Sequence, residues 1–216
     1  MTTLAWTIAP SLFILAYIIK SDRFKEPTGL KLWAFFTGIL LIIPAGYLNS
    51  VFIWPTESFY LAGLTEEICK FLALYYLFKN KKQFNEPMDA IVYGVLISMG
   101  FATYENFEYV YIYSEVNESL YTAILRAFTA VPMHATCAVI MGYYLGLYIF
   151  RLEKYSLLKG ISYPIFFHGM YNFLIPFSAL LWLAWLIFMI FFARKLHLRL
   201  VKEQLKKVSE SEKKLI

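Results

Sequence analysis

Apolar residues in this chain come in long blocks, with neither the period of two of a half-buried strand nor the narrow stripe of a surface helix. The blocks run at about 3–19, 31–53, 58–78, 88–113, 121–150, 157–175 and 177–193. Blocks of roughly 20 residues have the length that an α-helix needs to cross the hydrocarbon core of a bilayer. The pattern therefore predicts an all-α polytopic membrane protein, with about seven transmembrane helices in a single bundle. The sixth and seventh spans are joined only by "IPFS", a tight turn, and no internal repeat or low-complexity linker is visible. The first span, in "MTTLAWTIAPSLFILAYIIK", lacks a basic n-region and a following small-residue cleavage site, so it reads as a retained helix and not as a signal peptide. Residues 1–193 form one domain on this reading. Residues 194–216 are rich in Lys and Glu and are expected to carry the last helix out of the membrane as a basic tail.

Charge orients the spans. Lys20, Arg23, Lys25 and Lys31 follow the first, Lys79, Lys81 and Lys82 the third, and Arg151, Lys154 and Lys159 the fifth. The remaining loop and tail cations, from Arg194 to Lys214, follow the seventh. Every Lys and Arg except Lys70 and Arg126 is placed this way, and the alternate connections carry only acids or nothing. The positive-inside rule then puts the N-terminus outside and the C-terminus in the cytoplasm, in a multi-pass protein of the plasma membrane. The composition agrees: of 216 residues 60% are hydrophobic and only 16% charged, against about a quarter charged in soluble domains. The net charge of +5 is thus a topology signal and a contact with the inner leaflet of the lipid bilayer. A nucleic-acid partner is excluded, because no clustered basic face with base-reading aromatics exists. Cys69 and Cys137 both lie inside apolar spans and suggest no disulfide framework. Asn117-Glu118-Ser119 matches a glycosylation acceptor on the outer side, without meaning in a prokaryotic chain.

Ionisable residues at membrane depth are costly and mark function or pairing. The third span carries Glu66, Glu67 and Lys70; the fourth carries Glu105, Asn106 and Glu108; the fifth carries Arg126 and His134; the sixth carries His168 and Asn172. At a rise of about 1.5 Å per residue, Glu66 and Glu67 lie roughly 12–14 Å below the outer face, Glu105 about 12 Å and His168 about 11 Å. His134 lies about 20 Å below it if its span is one straight helix. Polar groups from four helices thus fall between the midplane and the outer interface, which predicts one shared site. Lys70 is three residues from Glu67 and four from Glu66, so it can pair with either. Adjacent carboxylates point about 100° apart on a helix, which predicts that one faces the site while Lys70 or a neighbour holds the other. Glu105 and Asn106 are expected to brace the site, and Glu108 and Arg126 to form ion pairs nearer the interface.

This set suits hydrolysis. A carboxylate beside a neutral imidazole can deprotonate water, and His168 with Asn172, one turn apart, can donate to a developing oxyanion. Alternatively Glu67, His134 and His168 make a Glu/His₂ set able to hold a divalent metal such as zinc. HExxH is absent, so such a site would be assembled from separate helices. The residues alone leave metal-bound and carboxylate-activated water both open.

Four ordered segments, "TEEICK", "YGVLISMGFATYENFEYV", "HATCAVIMGYYLG" and "FHGMYNF", resemble the PrsW family of bacterial intramembrane proteases, within the superfamily of CAAX-prenyl endopeptidases and bacteriocin-processing enzymes. The resemblance covers about residues 5–193 and is densest over 63–172. It implies a glutamate-dependent peptide hydrolase that clips a single-span membrane protein on its outer side, in the manner of site-1 proteases of anti-sigma factors. Glu66 and Glu67 match the paired glutamates, His134 the first histidine and His168 the second. Lys70 stands where the wider superfamily has Arg. Asn172 stands where PrsW-like sequences often carry Asp and the wider superfamily carries Asn; as an amide it can donate a hydrogen bond but cannot act as acid or base. Two other classes compete. An ion- or proton-coupled carrier would use intramembrane Glu and His as a relay, but it calls for inverted repeats and broken helices, which this chain lacks. A non-catalytic binder of single-span partners would keep the bundle without needing the carboxylate–histidine set.

Overall fold

The computed structural model describes residues 2–213, which form nine α-helices and no strand. These are α1 (Thr2–Ser21), α2 (Thr28–Leu40), α3 (Ile42–Phe52), α4 (Ala62–Ala73), α5 (Pro87–Glu108), α6 (Ser119–Phe128), α7 (Ala130–Arg151), α8 (Lys154–Leu174) and α9 (Ala179–Lys213). All seven apolar blocks fall on helix. Leu41 alone separates α2 from α3, and a π-helical turn extends each of α4 and α5, over Leu74–Phe78 and Tyr109–Tyr113. Four rods are long and apolar enough to cross a membrane: Thr2–Ser21, Thr28–Phe52, Ser119–Arg151 and Ala179–Glu212. Every described helix is thus part of a helical membrane protein, as the apolar blocks require.

The fifth block is not one straight helix. It breaks at Thr129, where φ is −123° and ψ −68°. Pro132 supplies the reason, since it offers no N–H to the carbonyl four residues back and its ring crowds that turn. The interruption means that the span is not one unbroken helix down to His134. Prolines inside α1 (Pro10) and α8 (Pro164) leave their helices continuous, as membrane helices allow when neighbours satisfy the freed carbonyl.

Helix α5 is the hub. It begins at a capping box in which Glu86 and Asp89 satisfy each other's backbone N–H, with Pro87 at the first helical position. From Met88 to Ala102 every residue of it is buried. Glycines let its neighbours come close. A Cβ on Gly142 would lie 2.4 Å from the Ala90 carbonyl oxygen, and one on Gly146 2.7 Å from that of Pro87. The "GYYLG" face of α7 is therefore a helix contact, as small residues four apart in membrane helices commonly are.

The chain beyond residue 193 continues α9 to Lys213, and residues 214–216 of the expected tail lie outside the described residues. This extension is docked along one face. Leu196, His197, Leu200 and Gln204 are buried, and the Gln204 amide donates to Asp22 Oδ1 and to Glu86. Lys207 reaches Glu86 at 3.2 Å. A polar clasp thus ties α9 to the α1–α2 connection and to the start of α5.

Candidate active site

Helix α4 presents Glu66, Glu67 and Lys70 inward, against His134 of α7 and His168 of α8. All five are between 1% and 3% exposed. What allows this is the approach of α4 to α8: a Cβ added at Gly63 would lie 2.5 Å from the Gly169 amide nitrogen. Gly63 is one turn before Glu67, and Gly169 directly follows His168, so the tightest point of the helix pair sits beside the charged groups. Gly63→Leu is accordingly expected to force α4 off α8 and cut hydrolytic activity by at least about 10²-fold, the scale of a 1 Å misplacement. Cleavage kinetics of the purified variant test this; wild-type turnover in a folded G63L protein would show that the approach does not matter.

Lys70 bridges both carboxylates. Its Nζ lies 2.8 Å from Glu67 Oε1 and 3.4 Å from Glu66 Oε2, and the Phe101 ring covers it at 4.1 Å. The expected division, one glutamate on the site and one on the lysine, does not hold. Lysine at i+3 and i+4 sits between the two side chains, which bend toward it despite leaving the helix about 100° apart. The same ammonium donates to His134 Nδ1 at 3.0 Å. On the other flank, His168 Nδ1 donates to Glu67 Oε1 at 3.0 Å. Glu67 Oε2 is buried without any partner. An orphan carboxylate oxygen at such depth costs free energy and marks where a further donor or cation belongs.

Glu105 joins the group directly, its Oε2 being 2.9 Å from His134 Nε2. Asn106 does not touch the histidines. It accepts from Arg126 Nε at 2.7 Å and donates to the Thr7 carbonyl at 3.4 Å. Asn172, expected beside His168, is kept apart from the cluster: its amide donates to the Phe59 carbonyl at 3.2 Å, near the surface. Arg126 is the residue whose weight the chain's pattern understated. Its position near one end of its span suggested an ion pair at the interface, whereas its guanidinium meets Glu105, a member of the buried cluster, at 2.5 Å. Thr65, beside Glu66 in the chain, donates to Asn49 of α3 at 2.5 Å and ties α4 to α3.

One ligand atom from each of Glu66, Glu67, His134 and His168 falls within 4.8 Å of the others. Nitrogen and carboxylate oxygen donors of this kind suit a catalytic divalent metal. The orphan Glu67 oxygen fits that use, while the Lys70 ammonium occupies Glu66 Oε2, Glu67 Oε1 and His134 Nδ1 and would have to give way for those atoms to ligate. An open apolar groove of about 860 Å³ runs between α1, α7 and α9, lined by Trp6, Phe13, Ala135 and Ile190 among others. None of the charged cluster reaches it.

A buried cluster of carboxylates and imidazoles gathered from four helices of a membrane bundle defines the class: a membrane protein with a buried polar site. Comparison with known proteins gives the family. The profile of "PrsW family intramembrane metalloprotease" matches residues 26–194. The chain is 34% identical over 178 residues to "Protease PrsW" of Geobacillus kaustophilus, covering 78% of this chain and 77% of the relative. It is 32% identical over 206 residues to "Protease PrsW" of Oceanobacillus iheyensis, covering 85% and 92%. It is also 32% identical over 197 residues to "Protease PrsW" of Bacillus subtilis, covering 81% and 88%. No solved structure matches the chain. The chain belongs to the PrsW family of intramembrane metalloproteases. It is a peptide hydrolase, and a multi-pass protein of the bacterial plasma membrane.

Proposed function

We propose that the protein is an intramembrane endopeptidase that cuts a single-span membrane protein near the outer interface, of the anti-sigma-factor site-1 type, with seven spans and the N-terminus outside. The observation that carries this reading is Glu67: a buried carboxylate tied through one oxygen to Lys70 and His168, with its second oxygen unpartnered. Alternation of the basic loops supports the orientation.

The chemistry follows from the donors. Glu67 accepts the proton of an attacking water at Oε2, while Lys70 and His168 hold Oε1 and so aim the free oxygen. His168 carries its proton on Nδ1, since that nitrogen faces a carboxylate oxygen at 3.0 Å. Its Nε2 is left as an acceptor. Glu66, at the edge of the same ammonium, balances the charge of Lys70. Alternatively Glu66, Glu67, His134 and His168 would hold a divalent metal, which when bound would supply a Lewis acid and lower the pKa of water to near neutrality; Glu67 Oε2 would then be a ligand and not the proton acceptor. Asn172, bonded to the Phe59 carbonyl, stands one turn outward from His168. Rearrangement as substrate enters would free its amide for the oxyanion. The substrate helix must unwind locally, because its amides are already hydrogen-bonded in lipid.

The test is cleavage of a model single-span protein by purified enzyme in proteoliposomes, with bound metal measured before and after chelator dialysis. Cleavage is expected at one site in the outer half of the substrate span. Activity is expected to fall with the metal content and return on adding zinc. An intact substrate under all these conditions would reject the reading, and full activity at zero metal would reject its metal part.

A further inference from the structure

The hydrogen bonds of His134 determine its tautomer, and a residue outside the hydrolytic group determines those bonds. Lys70 is an ammonium and can only donate, so His134 Nδ1, 3.0 Å from it, must accept. The proton therefore sits on Nε2 and is donated to Glu105 Oε2 at 2.9 Å. In consequence the lone pair of His134 lies on the side of Glu66, Glu67 and Lys70, where it accepts the Lys70 ammonium. A carboxylate behind an imidazole in this way fixes ring and tautomer together.

Glu105 depends in turn on Arg126. The guanidinium binds Glu105 Oε2 through Nη2 at 2.5 Å and Asn106 Oδ1 through Nε at 2.7 Å, and it lies 3.9 Å over the Tyr109 ring. Asn106 is anchored to the Thr7 carbonyl of α1. The fork of one arginine thus locks two successive residues of α5 and holds the shared oxygen where His134 meets it. Glu105 is the least buried member, with 14% of its side chain exposed, so without this clamp it has somewhere to swing.

We propose that Arg126 is a positioning residue of the hydrolytic reaction, acting through Glu105 to hold His134 with its proton on Nε2. The value of this for turnover rests on the peptidase reading above; the tautomer itself does not. Because the chain contains only three histidines, ¹⁵N-histidine labelling resolves the question directly. In the wild type one imidazole, assigned to His134 by its loss in His134→Gln, is expected with Nε2 protonated. In Arg126→Gln that signal is expected to become a mixture of both tautomers, with His168 and His197 unchanged. The kcat should fall about 10–100-fold, the usual cost of removing such an outer partner, with KM unaltered. The double variant R126Q/E105A should be no slower than E105A.

An unchanged His134 signal and wild-type kcat in R126Q would overturn the proposal, as would full additivity in the double variant. A mixed tautomer with no cleavage even by the wild type would support the positioning role while removing the peptidase reading. Should R126Q not fold, Arg126→Lys decides, because it keeps the charge and loses the fork. A weakened Nε2–H signal with kcat several-fold lower supports the proposal, and wild-type values for both refute it.

Discussion

Glu67→Gln is expected to lower substrate cleavage by about 10³-fold, in line with the range of 10²–10⁴ for losing a positioned proton acceptor. Glu67 is the meeting point of the cluster: one oxygen takes Lys70 at 2.8 Å and His168 at 3.0 Å, and the other has no partner. An amide keeps the volume but removes the charge that holds both donors. In one orientation it also puts an N–H where the unpartnered acceptor stood. Glu66→Gln leaves the shorter ion pair to Lys70 in place, so its loss should be smaller, about 10–100-fold. Initial rates with a purified single-span substrate measure both, and elution as a folded monodisperse species controls for collapse. Equal rates for E67Q and wild type would remove Glu67 from the mechanism, and a larger loss in E66Q would exchange the two roles.

Lys70→Met is expected to destabilise the protein by about 3–5 kcal/mol, as breaking a buried ion pair from one side does. The ammonium is 2% exposed and touches two carboxylates, an imidazole and an aromatic face. Methionine fills the space but leaves Glu66 and Glu67 adjacent, buried and uncompensated. Neutralising those partners should restore most of the loss, so the triple variant K70M/E66Q/E67Q is expected to melt close to wild type, although inactive. Thermal unfolding in one detergent compares the three proteins. A K70M protein as stable as wild type would mean that water or another cation reaches the carboxylates. Failure of the triple variant to recover would mean that Lys70 acts through packing and not through charge.

Much of this molecule could be read along the chain, and the reasons are local. Lipid cannot satisfy backbone polar groups, so apolar blocks of span length must be helices, and all seven are. Rise per residue along the expected spans set Glu66, Glu67, Glu105 and His168 at one level, and the structure does bring them into one cluster. The "GYYLG" contact was likewise visible, because small residues four apart can serve little else on an apolar helix.

Side-chain partners are a different matter, since they depend on how separate helices are rotated and spaced. The helical membrane bundle, the helices that carry the charged residues and the Glu-Glu, His and His set were all legible along the chain. That Lys70 serves both glutamates and that Asn172 turns to the Phe59 carbonyl emerges only from the packed helices. So does the contact of Arg126 with Glu105. Periodicity gives a residue's depth and its angle around one helix. The distance between groups on two helices depends on features such as the Gly63–Gly169 approach and the Pro132 break, whose effect exists only once the helices are packed.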